Sequence, residues 1–249
     1  MRTPVVPGIA SGKTPRMMLC QKDRNETGSK MMRISFGIGD LLSIFGDPYS
    51  RWVATTYPFA RIGHNFTIHH TADLARDSAY RIKLGNSVRI DKGAWVYAVG
   101  SRSGNHGPAL VVEDNCLIAR YCQIAARNLI HLEPDVILSA SVLITDHIHA
   151  YEDPAVPIRK QGITEGGMVW IESGCWIGHG AAIVCEKGQL VLGRNCIVGA
   201  NTVVTRSFPA FSVIAGNPAR VVRHYDPERG AWVVGSQGPA VEEKKLSFR

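Results

Sequence analysis

The sequence predicts an all-β fold: a parallel β-helix, a solenoid whose chain turns a corner every six residues. Three observations predict it. Branched aliphatic residues recur at a spacing of six, often three times in succession. The residue after each aliphatic anchor is often glycine or an acid, and the residue four after it is small or branched. A period of six matches neither the 3.6 of a helix nor plain two-residue alternation. It matches a coil of three short segments, stacked on further coils so that each anchor lies on its equivalent.

The elements follow in chain order. Residues 1–33 carry Pro, Gly, Ser and basic residues without a period and read as a disordered basic tail. Residues 34–59 are apolar but irregular, punctuated by Pro48 and Pro58, and read as a short helix or an N-terminal cap. The repeat region is 60–224. Ile62 and Ile68 open it; Leu84, Ile90 and Val96 follow, then Val112, Ile118 and Ile124, then Leu132, Leu138 and Ile144. Ile171, Ile177 and Ile183 come next, and Leu192, Val198 and Val204 close the series. Residues 225–249 read as a C-terminal tail.

Val88, Cys116, Cys122, Val136, Val142, Cys175, Ala181, Cys196 and Thr202 stand four residues after an anchor. That position predicts compact filling near a corner, so most of the six cysteines read as small core residues. The CxxC spacing of a zinc ribbon or redox site does not occur. Glycine after an anchor reads as a supplier of the backbone angles that corners demand. Breaks in the period fall at 97–111, 145–169 and 186–190. Insertions in a solenoid become loops, so the functional loop is expected among them.

Charge narrows the function. The chain of 249 residues carries +7, and residues 1–33 hold seven Lys or Arg against two acids. The body is therefore nearly neutral, which argues against a nucleic-acid partner. The first 30 residues contain no apolar signal region, and the apolar stretch at 41–45 is far too short to span a bilayer. These features predict a cytoplasmic protein without a transmembrane segment.

The pattern [LIV]-[GE]-x-x-small-x resembles that of the hexapeptide-repeat acyltransferases. The C-terminal stretches WIGHGAAIV at 176–184, IVGANTVVTR at 197–206 and IAGNPARVVR at 214–223 are similar to the closing coils of sugar and polysaccharide O-acetyltransferases of that family. The resemblance implies a left-handed parallel β-helix, a homotrimer, and acetyl-CoA lying between neighbouring helices. It implies that Ala200, Thr205 and Arg206 meet the pantetheine arm and phosphates, that Arg220 and Arg223 meet the adenosine phosphates, and that His179 belongs to the same region. Arginine suits these phosphates because its planar fork offers several fixed donors. The chain departs from the family at 185–190, where CEKGQL replaces a more compact turn.

Transfer of an acetyl group to a hydroxyl needs a base for the proton and donors for the oxyanion. The longest break opens with TDHIH at 145–149. The resemblance puts a catalytic histidine here, and His147 matches it best. His149, two residues on, points the same way if the backbone is extended, and is the second catalytic candidate. Asp146, Glu152 or a backbone carbonyl would orient the imidazole. Tyr97, Asn105 and Asp146 are the expected contacts to a sugar or glycan acceptor, from polar and aromatic stretches around the two longer breaks. Two other functions use the same fold. A γ-type carbonic anhydrase holds zinc with three histidines, but the pair His64 and His69 lacks a preceding third. A non-catalytic scaffold would need neither the histidine loop nor the arginine-bearing ending. A metal is not expected.

Overall fold

A computed structural model describes residues 47–100 and 107–235. The tail at 1–33, the first part of the expected cap, Cys20 and Asn105 lie outside these residues. The described chain winds six coils of three short strands. They are β1 (Arg61–Ile62), β2 (Thr67–Ile68) and β3 (Asp73–Leu74); β4 (Ile82–Leu84), β5 (Arg89–Ile90) and β6 (Trp95–Ala98); β7 (Leu110–Val112), β8 (Leu117–Ile118) and β9 (Gln123–Ala126); β10 (Leu129–Leu132), β11 (Ile137–Leu138) and β12 (Leu143–Thr145); β13 (Met168–Ile171), β14 (Trp176–Ile177) and β15 (Ala182–Val184); β16 (Gln189–Leu192), β17 (Ile197–Val198) and β18 (Val203–Val204). Each coil contributes one strand to each of three parallel sheets, the three faces of a prism.

The anchors stack in register. On the first face Leu84 pairs with Ile62 and Val112, and Leu132 with Val112 and Ile171. The second face carries the column from Ile68 through Ile90, Ile118, Leu138 and Ile177 to Val198 and Ile214. The third carries Leu74, Val96, Ile124, Ile144, Ile183 and Val204. Nearly all these side chains are buried, and burying each contributes roughly 1.5–3 kcal/mol. Leu74, six residues beyond Ile68, completes the first coil and continues the period. The small residues four past each anchor are buried as expected; Cys116, Cys122, Cys175 and Cys196 are free thiols in this layer, and Cys185, two past Ile183, is a fifth buried thiol.

The glycines that follow anchors have a different reason from the one the sequence suggests. Gly63, Gly85, Gly178, Gly193 and Gly199 do not have positive φ. They stand where the next coil passes: a Cβ on Gly85 would lie 2.7 Å from both Asp114 N and Glu113 C. The left-handed residue of the corner comes two positions later. Asn65, Ser87, Asn115, Asp135, Gly174 and Asn195 turn the first corner with φ of 54–70°, and Gly93, Tyr121, Ser141, Gly180 and Asn201 turn the second. Asn and Asp tolerate this region better than other side chains do. The third corner is free of this constraint. The insertions between coils leave there, at 75–81, 99–109, 146–167 and 185–188.

Both ends of the prism are closed. Helix α1 (Pro48–Thr56) is capped by Asp47, whose carboxylate accepts the Ser50 N–H at 2.9 Å. Ser50 Oγ accepts the Ile68 N–H at 2.8 Å and donates to Ile68 O at 3.3 Å, which satisfies the free edge of β2. At the other end β19 (Ser212–Ala215) begins another turn of the second face, followed by the antiparallel strands β20 (Arg220–Asp226) and β21 (Ala231–Val234). Residues 225–234 therefore extend the second sheet, where the sequence reading placed the start of a tail. Phe208 covers the end of the first face, with its N–H on Val191 O at 2.9 Å. A short helix, α2 (Ile158–Gln161), lies in the longest insertion. Among the described residues no helix is long and apolar enough to cross a membrane.

On the outer first face, His131 and Glu113 form a close pair, Nε2 to Oε1 at 2.6 Å, with the imidazole against Trp170. Burial outweighs the pull of Glu113 and Glu133 and, with a small push from Lys83, holds the His131 pKa below its usual value. Fewer protons are then bound in the folded state, so this contribution is complete above the ordinary histidine range and is lost as pH falls through it. Denaturation at pH 7.5 and 5.5 should show a larger loss of stability for the parent than for His131→Gln. A second expectation separates the two glycine roles. Gly85→Ala should destabilise by about 1–3 kcal/mol, as overpacking does. Ser87→Gly, at a left-handed corner, should be neutral or stabilising in the same denaturation assay.

Candidate active site

The third corner between coils three and four has no insertion: β9 passes almost directly into β10. Three successive backbone N–H groups there meet one side chain. Asp146 Oδ1 accepts the Arg127 N–H at 2.7 Å, and Oδ2 accepts those of Asn128 at 2.7 Å and Leu129 at 2.9 Å. Asp146 is wholly buried. A carboxylate with four lone-pair sites suits a row of donors, and its bonds to N–H groups are charge-assisted. Its remaining partner is His147, with Nδ1 at 2.9 Å from Oδ1. Because that oxygen is an acceptor, Nδ1 carries the proton and a neutral imidazole presents its lone pair at Nε2.

The backbone around this pair is fixed by the insertion itself. Its two arms run side by side: the Thr164 N–H donates to Ile148 O at 2.8 Å, and the Ala150 N–H to Gly162 O at 3.1 Å. Thr145 Oγ1 donates to His147 O at 2.8 Å. The returning arm closes on Asp146 O through the Gly167 N–H at 2.6 Å. Gly166 beside it has φ of +79°, and a Cβ there would sit 2.6 Å from Asp146 O, so only glycine fits. His147 emerges one residue beyond the buried aspartate, at the wall of a cleft of about 430 Å³ that Trp95, Tyr97, Ala125, Leu143 and His149 also line.

The structure thus brings together His147, His149 and Tyr97 from the sequence expectations. It changes the role expected of Asp146. A buried carboxylate engaged by three N–H groups and an imidazole does not touch an acceptor; of the proposed orienting groups it is the one in contact with the imidazole. Glu152 instead accepts the Tyr151 N–H. His149 is exposed, with Nδ1 at 3.3 Å from Gly162 O. Trp95, which also lines the cleft, was missed, although its place two residues before Tyr97 and one before the anchor Val96 marks it as outward-facing on the same strand.

The residues expected at acetyl-CoA are all exposed and lie on the last coils, but in separate places. His179 and Ala200 stand at successive second corners, joined through the Asn201 N–H and His179 O at 2.8 Å. Thr205 and Arg206 leave β18 at the third corner, two coils beyond the one where His147 leaves β12, about 10 Å along the axis at the usual strand spacing. Arg206 packs over the Phe208 ring at 5.0 Å. Arg220 and Arg223 are on β20, just after Gly216 and Ala219, which bond to Val203 across the end of the third face. Trp176, read as a core or corner residue, faces outward and is half-exposed, its Nε1–H on Ser139 Oγ. His69 Nδ1 contacts Thr71 Oγ1, and among the described residues no group of three His, Cys, Asp or Glu side chains is placed to hold a metal ion.

Comparison with known proteins gives the same architecture. No family model matches the chain. WbbJ of Escherichia coli K12, by name a lipopolysaccharide biosynthesis O-acetyl transferase, is 29% identical over 141 residues, 54% of this chain and 70% of the relative. Rv3034c of Mycobacterium tuberculosis, by name an acetyltransferase, is 27% identical over 165 residues, 66% of this chain. The chain spans about half the length of that second relative, 49%. Over its repeat region the chain is thus similar to acetyltransferases. Among solved structures, a variant of AntD, an N-acyltransferase of Bacillus cereus in complex with dTDP and coenzyme A, superposes with a TM-score of 0.54 at 19% identity. The superposition covers 78% of this chain and 92% of AntD. At that identity the likeness speaks for the fold: the chain is a left-handed parallel β-helix.

The aspartate clamp yields a direct expectation. Asp146→Asn keeps the shape but turns an NH₂ toward groups that are all donors, whichever way the amide lies. The variant should lose about 1–3 kcal/mol of stability, the penalty for a buried group left unsatisfied, and its kcat should fall as the imidazole loses its fixed tautomer. Denaturation and turnover measured on the same preparation test both effects.

Proposed function

We propose that this protein moves an acetyl group from acetyl-CoA to a hydroxyl of a sugar or glycan precursor, with His147 as the general base. The observation that carries the proposal is the Asp146–His147 pair. One imidazole nitrogen is engaged by a buried carboxylate, and the ring lines an aromatic-walled cleft on a rigid coil. The relatives support the donor and the acceptor class: both named ones are acetyltransferases by name, one of them in lipopolysaccharide biosynthesis, and AntD was crystallised with coenzyme A.

In this mechanism the acceptor hydroxyl gives its proton to His147 Nε2 while its oxygen attacks the thioester carbonyl. The tetrahedral oxyanion is held by a backbone N–H. Collapse breaks the C–S bond, and the imidazolium returns its proton to the leaving sulfur. Asp146 stabilises the imidazolium and keeps the ring in one tautomer, as the carboxylate does in other His–carboxylate pairs. Arg206, Arg220 and Arg223, exposed near the last coils, are the groups assigned to the phosphates of coenzyme A, and Thr205, Ala200 and His179 to the remainder of that molecule. Tyr97 contacts the acceptor. The working form is a homotrimer whose neighbouring helix completes the groove.

The test compares His147→Asn and His149→Asn, with acetyl-CoA affinity as the control for folding. Loss of a general base should lower kcat by roughly 10²–10⁴-fold with donor binding kept. His149→Asn should retain most of the activity. If His149→Asn is the inactive variant and His147→Asn turns over, the roles are exchanged; if both turn over at the parent rate, this corner does not carry the chemistry.

A further inference from the structure

We propose that the cleft beside His147 selects an acceptor whose sugar ring carries a methyl in place of a hydroxymethyl group, a 6-deoxyhexose unit, and that Trp95 and Tyr97 determine that choice. The proposal rests on the acetyl-transfer reading above and concerns the same cleft. Trp95 and Tyr97 occupy alternate outward positions of β6, with ring centroids 5.8 Å apart and planes at 13°. In register, Tyr97 stands over Ala125 of the next coil, and Ala125 over Thr145 of the one after. The small middle member of this column leaves a hollow between the aromatic pair and the corner that bears His147. Val99, Leu143, Ile148 and Ile163 supply further wall.

Few polar atoms of the described lining remain for a ligand. Thr145 Oγ1 donates to His147 O, His147 Nδ1 to Asp146, and His149 Nδ1 faces Gly162 O. That leaves the two imidazole Nε2 atoms, the Trp95 indole N–H and the Tyr97 hydroxyl, and one Nε2 is engaged by the attacking hydroxyl. A pocket of this kind uses apolar contact for affinity and its few polar groups for orientation. When the attacking hydroxyl sits at His147, the rest of the ring lies against the wall. The exocyclic group reaches farthest from the ring. As a methyl it packs on aromatic and aliphatic surface; as a hydroxymethyl it buries a hydroxyl with no assured partner, which is penalised.

The test uses the full chain, acetyl-CoA and three pairs of methyl glycosides that differ only at C6: D-fucoside and D-galactoside, D-quinovoside and D-glucoside, D-rhamnoside and D-mannoside. Thiol release reports transfer, and titration of tryptophan fluorescence reports binding independently. For a ring configuration that is accepted, the 6-deoxy member should have a kcat/KM about 10–100-fold higher, the range over which an apolar pocket rejects an added hydroxyl. Trp95→Ala and Tyr97→Ala should each reduce that ratio to below about threefold. Equal or reversed preference overturns the inference while acetyl transfer stands. A preference unchanged in both variants overturns the assignment of Trp95 and Tyr97. Binding of 6-deoxy glycosides without thiol release sinks the acetyl-transfer reading and leaves the cleft's preference standing; neither binding nor release sinks both.

Discussion

In-register stacking of each coil on the next is the constraint from which the rest of the molecule follows. A strand of two or three residues cannot hold itself in a sheet; here each is fixed because its anchor must lie on the anchor above and below. The requirement acts through space as well as burial. Gly85 and Gly178 leave no room for a Cβ because the following coil crosses there. Asp114 binds Asn86 through both oxygens, so even the surface of a corner is tied to the coil before it. That pair of hydrogen bonds, the backbone N–H of Asn86 first, holds the Asp114 carboxyl below the usual carboxylate range.

The same constraint decides where chemistry can be placed. Two corners of every coil are turned in the same few residues, with a left-handed residue at a fixed position in all but the second corner of the first coil, and extra chain there would break the stack. Insertions are confined to the third corner, and they gather along one edge of the prism. Asp146 shows how such an edge becomes a site. Where coils three and four join without an insertion, three N–H groups are left pointing along the edge, and the first side chain of the next insertion satisfies them. A carboxylate fixed in this way then fixes its neighbour's ring. The His147 imidazole is thus positioned by the scaffold's own backbone N–H groups, acting through Asp146, which is a more rigid support than the tip of a loop.

How much of this is legible in the sequence depends on the range of the interaction. The anchors from Ile62 to Val204 and the buried cysteines are readable because their cause is periodic and local. Glycine after an anchor is visible as a pattern, but its reason is a contact with the following coil, so it is easily mistaken for a matter of φ. Asp146 is harder still: its partners are backbone groups 17–19 residues earlier, and backbone carries no signature in sequence. A lone acid beside a histidine then reads equally well as an orienting group or a ligand contact. The strands at 220–226 and 231–234 escape notice because an antiparallel pair on the end of a solenoid has no reason to keep the period of six.

The two histidines of the long insertion illustrate what proximity to the scaffold does. They are two residues apart, both line the cleft, and in an extended chain they would be equivalent. They differ in what holds them. His147 follows a residue of zero exposure and donates its Nδ1–H to that residue's carboxylate at 2.9 Å, so its tautomer and its orientation are set together. His149 is exposed, and its Nδ1 reaches a carbonyl at 3.3 Å, a longer contact to an uncharged acceptor. A neutral carbonyl also selects the Nδ1–H tautomer, but it stabilises an imidazolium less than a carboxylate does. A general base carries positive charge once it has taken the proton, so the imidazole whose protonated form is better supported takes up that proton more readily. On that ground our proposal assigns the chemistry to the histidine nearest the coil.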